Sequence, residues 1–159
     1  PEQAADSMAH IAAGRERAGL TLEGFDVVPS VPVAFGDNIE QCANTIRPYA
    51  SLYIGGMGSK EMNFYNQLAS RMGFEAEADE IQAKYMSKDY RGAAGAVPLG
   101  FIDQTSLIGP RERVRDRLAA YAEAGVTTLT ITPSAQSLDE RLAALVTMSE
   151  ILDESGLAT

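Results

Sequence analysis

The fold class is decided by Gly109–Glu140, which reads GPRERVRDRLAAYAEAGVTTLTITPSAQSLDE. Proline is favoured at the first position of a helix, so Pro110 predicts a helix that ends near Gly125. The β-branched run Val126–Thr132 then predicts a strand, because Val, Ile and Thr pack well on a pleated sheet and Pro133 stops the run. A helix, a glycine turn, a strand and a second helix are the repeating unit of an α/β protein.

The second helix of this unit begins with a capping box. Ser137 can accept a hydrogen bond from the backbone N–H three residues later, and the Glu140 carboxylate can accept one from the backbone N–H of Ser137. The helix that follows carries leucines at helical spacing, which predicts that they lie on one stripe of the helix: Leu138, Leu142, Leu145 and Leu152. We therefore expect residues 109–159 to be the last helix-strand-helix unit of the domain.

Outward from this unit, only one further strand is predicted, at Val31–Phe35. Residues 37–96 between the two strands are predicted to be almost wholly helical, with Asp37 capping the first helix. The glycines of Tyr53–Ser59 are too dense for a helix interior, so they predict a turn after which Ser59 caps the next helix. A helical connection of this length is typical of lids and oligomer contacts, so we expect a lid and a homodimer.

The number of strands sets the expected size of the whole fold. A sheet of two strands is not independently stable in water, and these two strands are separated by about ninety residues. The chain also begins at Pro1 rather than at Met. We therefore expect the sequence to be the C-terminal portion of a larger α/β protein, with the N-terminal half of the same domain as its partner.

Composition excludes several classes of protein. The 159 residues include 13 Lys and Arg against 22 Asp and Glu, so the net charge of −9 disfavours binding to nucleic acid or to anionic lipid. No apolar run approaches the roughly 20 residues of a membrane span. One cysteine, Cys42, and one histidine cannot build a zinc site or an internal disulfide, so we expect Cys42 to be buried and the protein to be cytoplasmic.

Four runs resemble a known family: YIGGMGSK at 53–60, NFYN at 63–66, SLIGPR at 106–111 and RLAAYAEAGV at 117–126. Together they resemble the C-terminal half of the bacterial luciferase-like oxidoreductases, in their actinobacterial, deazaflavin-dependent branch. The resemblance implies the C-terminal portion of a (β/α)8 TIM barrel of about twice this length. It also implies hydride transfer between coenzyme F420 and a small organic substrate, with flavin mononucleotide (FMN) used by related proteins.

If the fold is such a barrel, the site lies at the carboxyl ends of the strands. Thr132 and Ser134 then stand where the last strand ends and could donate hydroxyls to a phosphate or a substrate oxygen; alternatively they only terminate the strand. Arg111 is the basic residue nearest its helix start and could bind a phosphate or a polyglutamate tail. The other interpretation is that the four arginines within residues 111–117 form a solvated face or a subunit contact.

The predicted lid supplies the other candidate residues. A glycine-rich run could bring backbone amides to an anion or fold over the cofactor ring: Gly55, Gly56, Met57 and Gly58. Alternatively this run is a strained connection between two helices. Asn63 and Tyr65 follow on the next helix and could face the substrate from the lid. No general acid or base can be assigned from this portion, and hydride transfer requires few ionisable groups because the cofactor performs the chemistry.

Three functions are consistent with the sequence, and the first is preferred. The first is an F420-dependent oxidoreductase acting on a small molecule. The second is an FMN-dependent luciferase-like monooxygenase, which would be distinguished by oxygen consumption. The third is a non-catalytic helical module that binds a partner chain.

Overall fold

The structure is a computed structural model that describes residues 1, 4–59 and 62–157. In chain order its elements are α1 (Ala4–Arg17), β1 (Ser30–Phe35), α2 (Ile39–Gly56), α3 (Phe64–Arg71), α4 (Glu75–Met86), α5 (Tyr90–Ala96), α6 (Leu99–Thr105), β2 (Leu107–Gly109), α7 (Arg111–Glu123), β3 (Thr130–Pro133) and α8 (Leu138–Ser155). The chain divides into two compact units. Unit 1 comprises Pro1–Phe35 and Gly109–Thr159, and unit 2 comprises Gly36–Ile108.

The strands form one sheet in the order β2-β1-β3. β1 and β3 are parallel, with Ser30 opposite Thr130 and Val33 opposite Pro133. The prediction of two strands was wrong, because β2 was missed. Its three residues are all buried, and a strand this short shows no alternation of polar and apolar side chains by which a sequence pattern could detect it.

The last strand is shorter than predicted and begins later. The prediction started it at Val126, whereas β3 begins at Thr130 and includes Pro133. The residues before it are held by Val27 instead: the backbone N–H groups of Thr127 and Thr128 both donate to the Val27 carbonyl. These irregular bonds replace the ladder at the start of the predicted run.

The core of unit 1 lies between the sheet and its last two helices. α7 packs against α8, and α8 packs on β1 and β3. The side chains buried there come from β1, α7 and α8: Val31, Val33, Val114, Leu118, Tyr121, Met148 and Ile151. The predicted helix end near Gly125 is confirmed, since α7 stops at Glu123 and Gly125 has φ +89°.

The leucine stripe of α8 is not part of the core. Its leucines face outward, with Leu138 70% and Leu142 51% exposed, while Met148 and Ile151 are buried. The helix carries apolar residues on two sides, and the short sheet covers only one of them. The capping box at its start is confirmed: Ser137 Oγ accepts from the Glu140 N–H at 3.2 Å, and Glu140 Oε2 accepts from the Ser137 N–H at 3.1 Å.

Unit 2 is a cluster of helices packed around α2. α2 contacts α3, α4, α5 and α6, and large side chains from these helices are fully buried: Ile46, Ile54, Ile81 and Ile102. The cap of α2 is Asn38, whose Oδ1 accepts from the Gln41 N–H at 3.0 Å; the predicted cap, Asp37, lies one residue too early. Cys42 is buried in α2, as predicted.

Within residues 4–59 and 62–157, no helix combines the length and the apolar character that a membrane crossing requires.

Candidate functional site

The parallel pair β1 and β3 brings the ends of both strands to one edge of the sheet. Thr132 lies opposite Pro32 in the ladder, and its side chain is exposed. Ser134 follows β3, and its backbone N–H donates to the Val33 carbonyl at 2.7 Å. The two predicted hydroxyl residues therefore lie at the carboxyl edge of the sheet, where α/β proteins bind ligands.

The start of α8 follows this edge closely in the sequence, and the side chain of Glu140 in its first turn already caps it. Glu140 accepts hydrogen bonds from the backbone N–H groups of Gln136 and Ser137. Bonds from the Ser137 backbone and side chain hold the pKa of Glu140 below its usual value. The Glu140 carboxylate therefore already uses these two backbone N–H groups at the start of the helix.

Arg111 does not join the hydroxyl residues. Its Nη1 contacts Glu150 Oε2 and its Nη2 contacts Glu154 Oε1, each at 2.8 Å. These two carboxylates raise the pKa of Arg111. Glu150 is twelve residues beyond the first residue of α8, Leu138, so a rise of 1.5 Å per residue puts Arg111 about 18 Å from the start of that helix.

The glycine-rich run has a different structure from the predicted turn. Gly55 and Gly56 belong to the last turn of α2, which passes close to Tyr85 of α4. A Cβ on Gly55 would lie 2.5 Å from Tyr85 Cβ, and a Cβ on Gly56 would lie 2.5 Å from Tyr85 Cε1. The absence of side chains therefore permits two helices to approach closely, and the prediction of a turn from residue 53 was wrong.

The turn itself begins after these residues. Met57 ends α2 with its side chain half exposed, and Gly58 has φ +150°. A Cβ on Gly58 would lie 2.7 Å from the Met62 carbonyl oxygen, so the chain passes close to itself at this point. Glycine at position 58 is required by this close approach and by its backbone conformation.

Asn63 joins the end of α2 to the start of α3. Its Oδ1 accepts from the backbone N–H groups of Tyr65 and Asn66, which caps α3 in place of the predicted Ser59. Its Nδ2 donates to the carbonyls of Tyr53 and Ile54 at 3.2 and 2.7 Å. Asn63 is 99% buried, and these four bonds use its full hydrogen-bonding capacity, so it positions its neighbours rather than contacting a ligand.

Tyr65 belongs to a cluster of four rings, which we call the tyrosine platform: Tyr49, Tyr53, Phe64 and Tyr65. Ring centroids lie 4.6 Å apart for Tyr49 and Tyr53, 4.7 Å for Tyr53 and Tyr65, and 5.4 Å for Phe64 and Tyr65. Sequence reasoning singled out only Tyr65. The spacing of Tyr49 and Tyr53 by four residues on α2 was the signal that could have found the rest.

Tyr53 also affects the ionisation of Tyr49. A side-chain hydrogen bond with Tyr53, together with desolvation, raises the pKa of Tyr49 to about 12. The Tyr49 hydroxyl is therefore protonated at any physiological pH.

The candidate residues fall into the two units. Thr132, Ser134 and Arg111 belong to unit 1, and the glycine-rich run, Asn63 and Tyr65 belong to unit 2. In the part of the chain that the structure describes, no group of three or more His, Cys, Asp or Glu side chains could hold a metal ion.

Comparison with known proteins decides the family. The family model described as luciferase-like monooxygenase matches residues 1–128, which is most of the chain. The chain belongs to the luciferase-like monooxygenase family. The resemblance noted from the four sequence runs is thereby confirmed.

Relatives of this luciferase-like chain are longer than the chain itself. It is 31% identical over 132 residues to a Mycobacterium tuberculosis (strain ATCC 25618 / H37Rv) protein named "Putative coenzyme F420-dependent oxidoreductase", a match covering 83% of this chain and 38% of that protein. Its fold matches the coenzyme F420-dependent tetrahydromethanopterin reductase from Methanopyrus kandleri with a TM-score of 0.70 at 21% identity, covering 98% of this chain and 41% of the reductase. The chain spans about two fifths of the length of these relatives.

Proposed function

We propose that this luciferase-like chain is the C-terminal portion of a (β/α)8 barrel that transfers hydride between coenzyme F420 and a small organic substrate. The observation that carries the proposal is the parallel pair β1 and β3, with Thr132 and Ser134 at its carboxyl edge. The names of the two relatives support the choice of cofactor and reaction. In this proposal the N-terminal half of the same barrel completes the site.

The exposed surfaces of unit 1 support the barrel. Parallel sheets are normally covered on both faces, yet no residue of β3 is buried. The outward leucines of α8 would likewise be covered by neighbouring elements of a closed barrel. In the same proposal residues 37–96 are the helical lid and residues 109–159 are the last helix-strand-helix unit. The homodimer and the cytoplasmic location stay predictions.

Two of the three candidate residues of unit 1 suit the anionic group of a cofactor, and the third does not. Thr132 and Ser134 carry hydroxyls, which are suitable donors to a phosphate oxygen. Arg111 does not fit this role, because two carboxylates already neutralise its charge. Bound F420 would supply the two-electron carrier that accepts or gives the hydride. In the lid, Gly55, Gly56, Gly58 and Asn63 set the position of the segment that carries Met57 and Tyr65.

A comparison of two threonines tests the site. Thr130 and Thr132 are both exposed and lie two residues apart on one face of β3, so Thr130→Val is a matched control for Thr132→Val. With the N-terminal half present, we expect Thr132→Val to weaken F420 binding about tenfold, as for loss of one hydrogen bond to a charged group. Thr130→Val should leave the F420 affinity unchanged. Equal affinities for the two variants would place the cofactor elsewhere.

The second candidate is an FMN-dependent monooxygenase, which the description of the matched family favours. It predicts that FMN binds in place of F420 and that addition of substrate to the reduced flavoprotein consumes oxygen. An F420-dependent enzyme would turn over without oxygen.

A further inference from the structure

We draw no further inference here: the strongest candidate, the solvent-exposed surface patch that the tyrosine platform forms on α2 and α3, carries none, because nothing in the described part of the structure shows what covers its rings.

Discussion

Gly55 determines how closely α2 and α4 can approach. Its missing side chain leaves room for the Tyr85 ring, and a methyl group there would lie within 2.5 Å of Tyr85 Cβ. We expect Gly55→Ala to lower the free energy of unfolding by about 1–3 kcal/mol, the usual cost of overpacking a core. Denaturant unfolding followed by circular dichroism measures the change.

Gly95→Ala is the control for this prediction. Gly95 lies in α5, and a Cβ there would have no neighbour within 4 Å. Alanine should therefore raise the unfolding free energy by about 0.5–1 kcal/mol through its better helix propensity. A stabilising Gly55→Ala would show that the two helices are not in contact at this residue.

The raised pKa of Tyr49 predicts a pH dependence. The folded protein holds this proton more tightly than an unfolded chain with the ordinary pKa of 10.0, so the stabilisation is complete below pH 10. It is lost as the pH rises through the folded pKa of about 12. In a titration of tyrosinate absorbance, Tyr53→Phe should move one late-titrating group towards the ordinary range.

Tyr90→Phe is the control for this titration. It removes an exposed tyrosine outside the platform and should leave the late-titrating group in place. A late group that is unchanged in Tyr53→Phe would contradict the assigned hydrogen bond.

Single residues could be predicted where the determinant is local. The bonds between Ser137 and Glu140 span three residues, and the sequence alone identified them. The role of Gly55 could not be predicted, because Tyr85 comes thirty residues later and a pair of glycines has the same pattern in a turn. The carboxylates that bind Arg111 lie 39 and 43 residues away and were missed for the same reason.

At the scale of elements, Asn63 is the link between α2 and α3. Asn63→Ala removes a helix cap and leaves buried carbonyls without donors, so we expect a loss of about 2–4 kcal/mol in the unfolding free energy. Asn63→Ser keeps an oxygen that can cap α3 and should recover about 1 kcal/mol of this loss. Denaturant unfolding measures both variants.

Asn38→Ala gives the reference for a single exposed cap. The Asn38 side chain accepts one capping bond at the start of α2, so its removal should cost about 1 kcal/mol. If Asn63→Ala cost no more than Asn38→Ala, the bonds to the end of α2 would contribute nothing to stability.

Elements were predictable where their pattern is long. The existence of α7, α8 and β1 followed from helical spacing, caps and β-branched residues. β2 has only three residues, and the orientation of α8 depends on which of its two apolar sides the sheet covers. The periodicity of a single helix does not contain that information.

For the whole molecule, the proposed barrel predicts that its other half covers the outward leucines of α8. We expect Leu142→Cys to react with a thiol reagent several-fold more slowly once the N-terminal half is present. Ala143→Cys lies on the polar side of the same helix and should react at the same rate with and without that half. Cys42 is buried and contributes little background. Equal rates for Leu142→Cys in both states would contradict a barrel closed over α8.

The barrel proposed for the whole molecule depends on the resemblance to the luciferase-like family. Composition and periodicity indicated an α/β protein with too little sheet, and the family then supplied a fold to which the sheet could belong. The separation into two compact units and the tyrosine platform both depend on contacts between distant residues, which a pattern along the chain does not reveal.

The cofactor is the central claim, and an equilibrium titration of the protein with oxidised F420 and with FMN, its N-terminal half present, tests it most directly. The account predicts that F420 binds at micromolar concentration, more tightly than FMN, and that Thr132→Val weakens this binding. Failure of F420 to bind, or tighter binding of FMN, would contradict it.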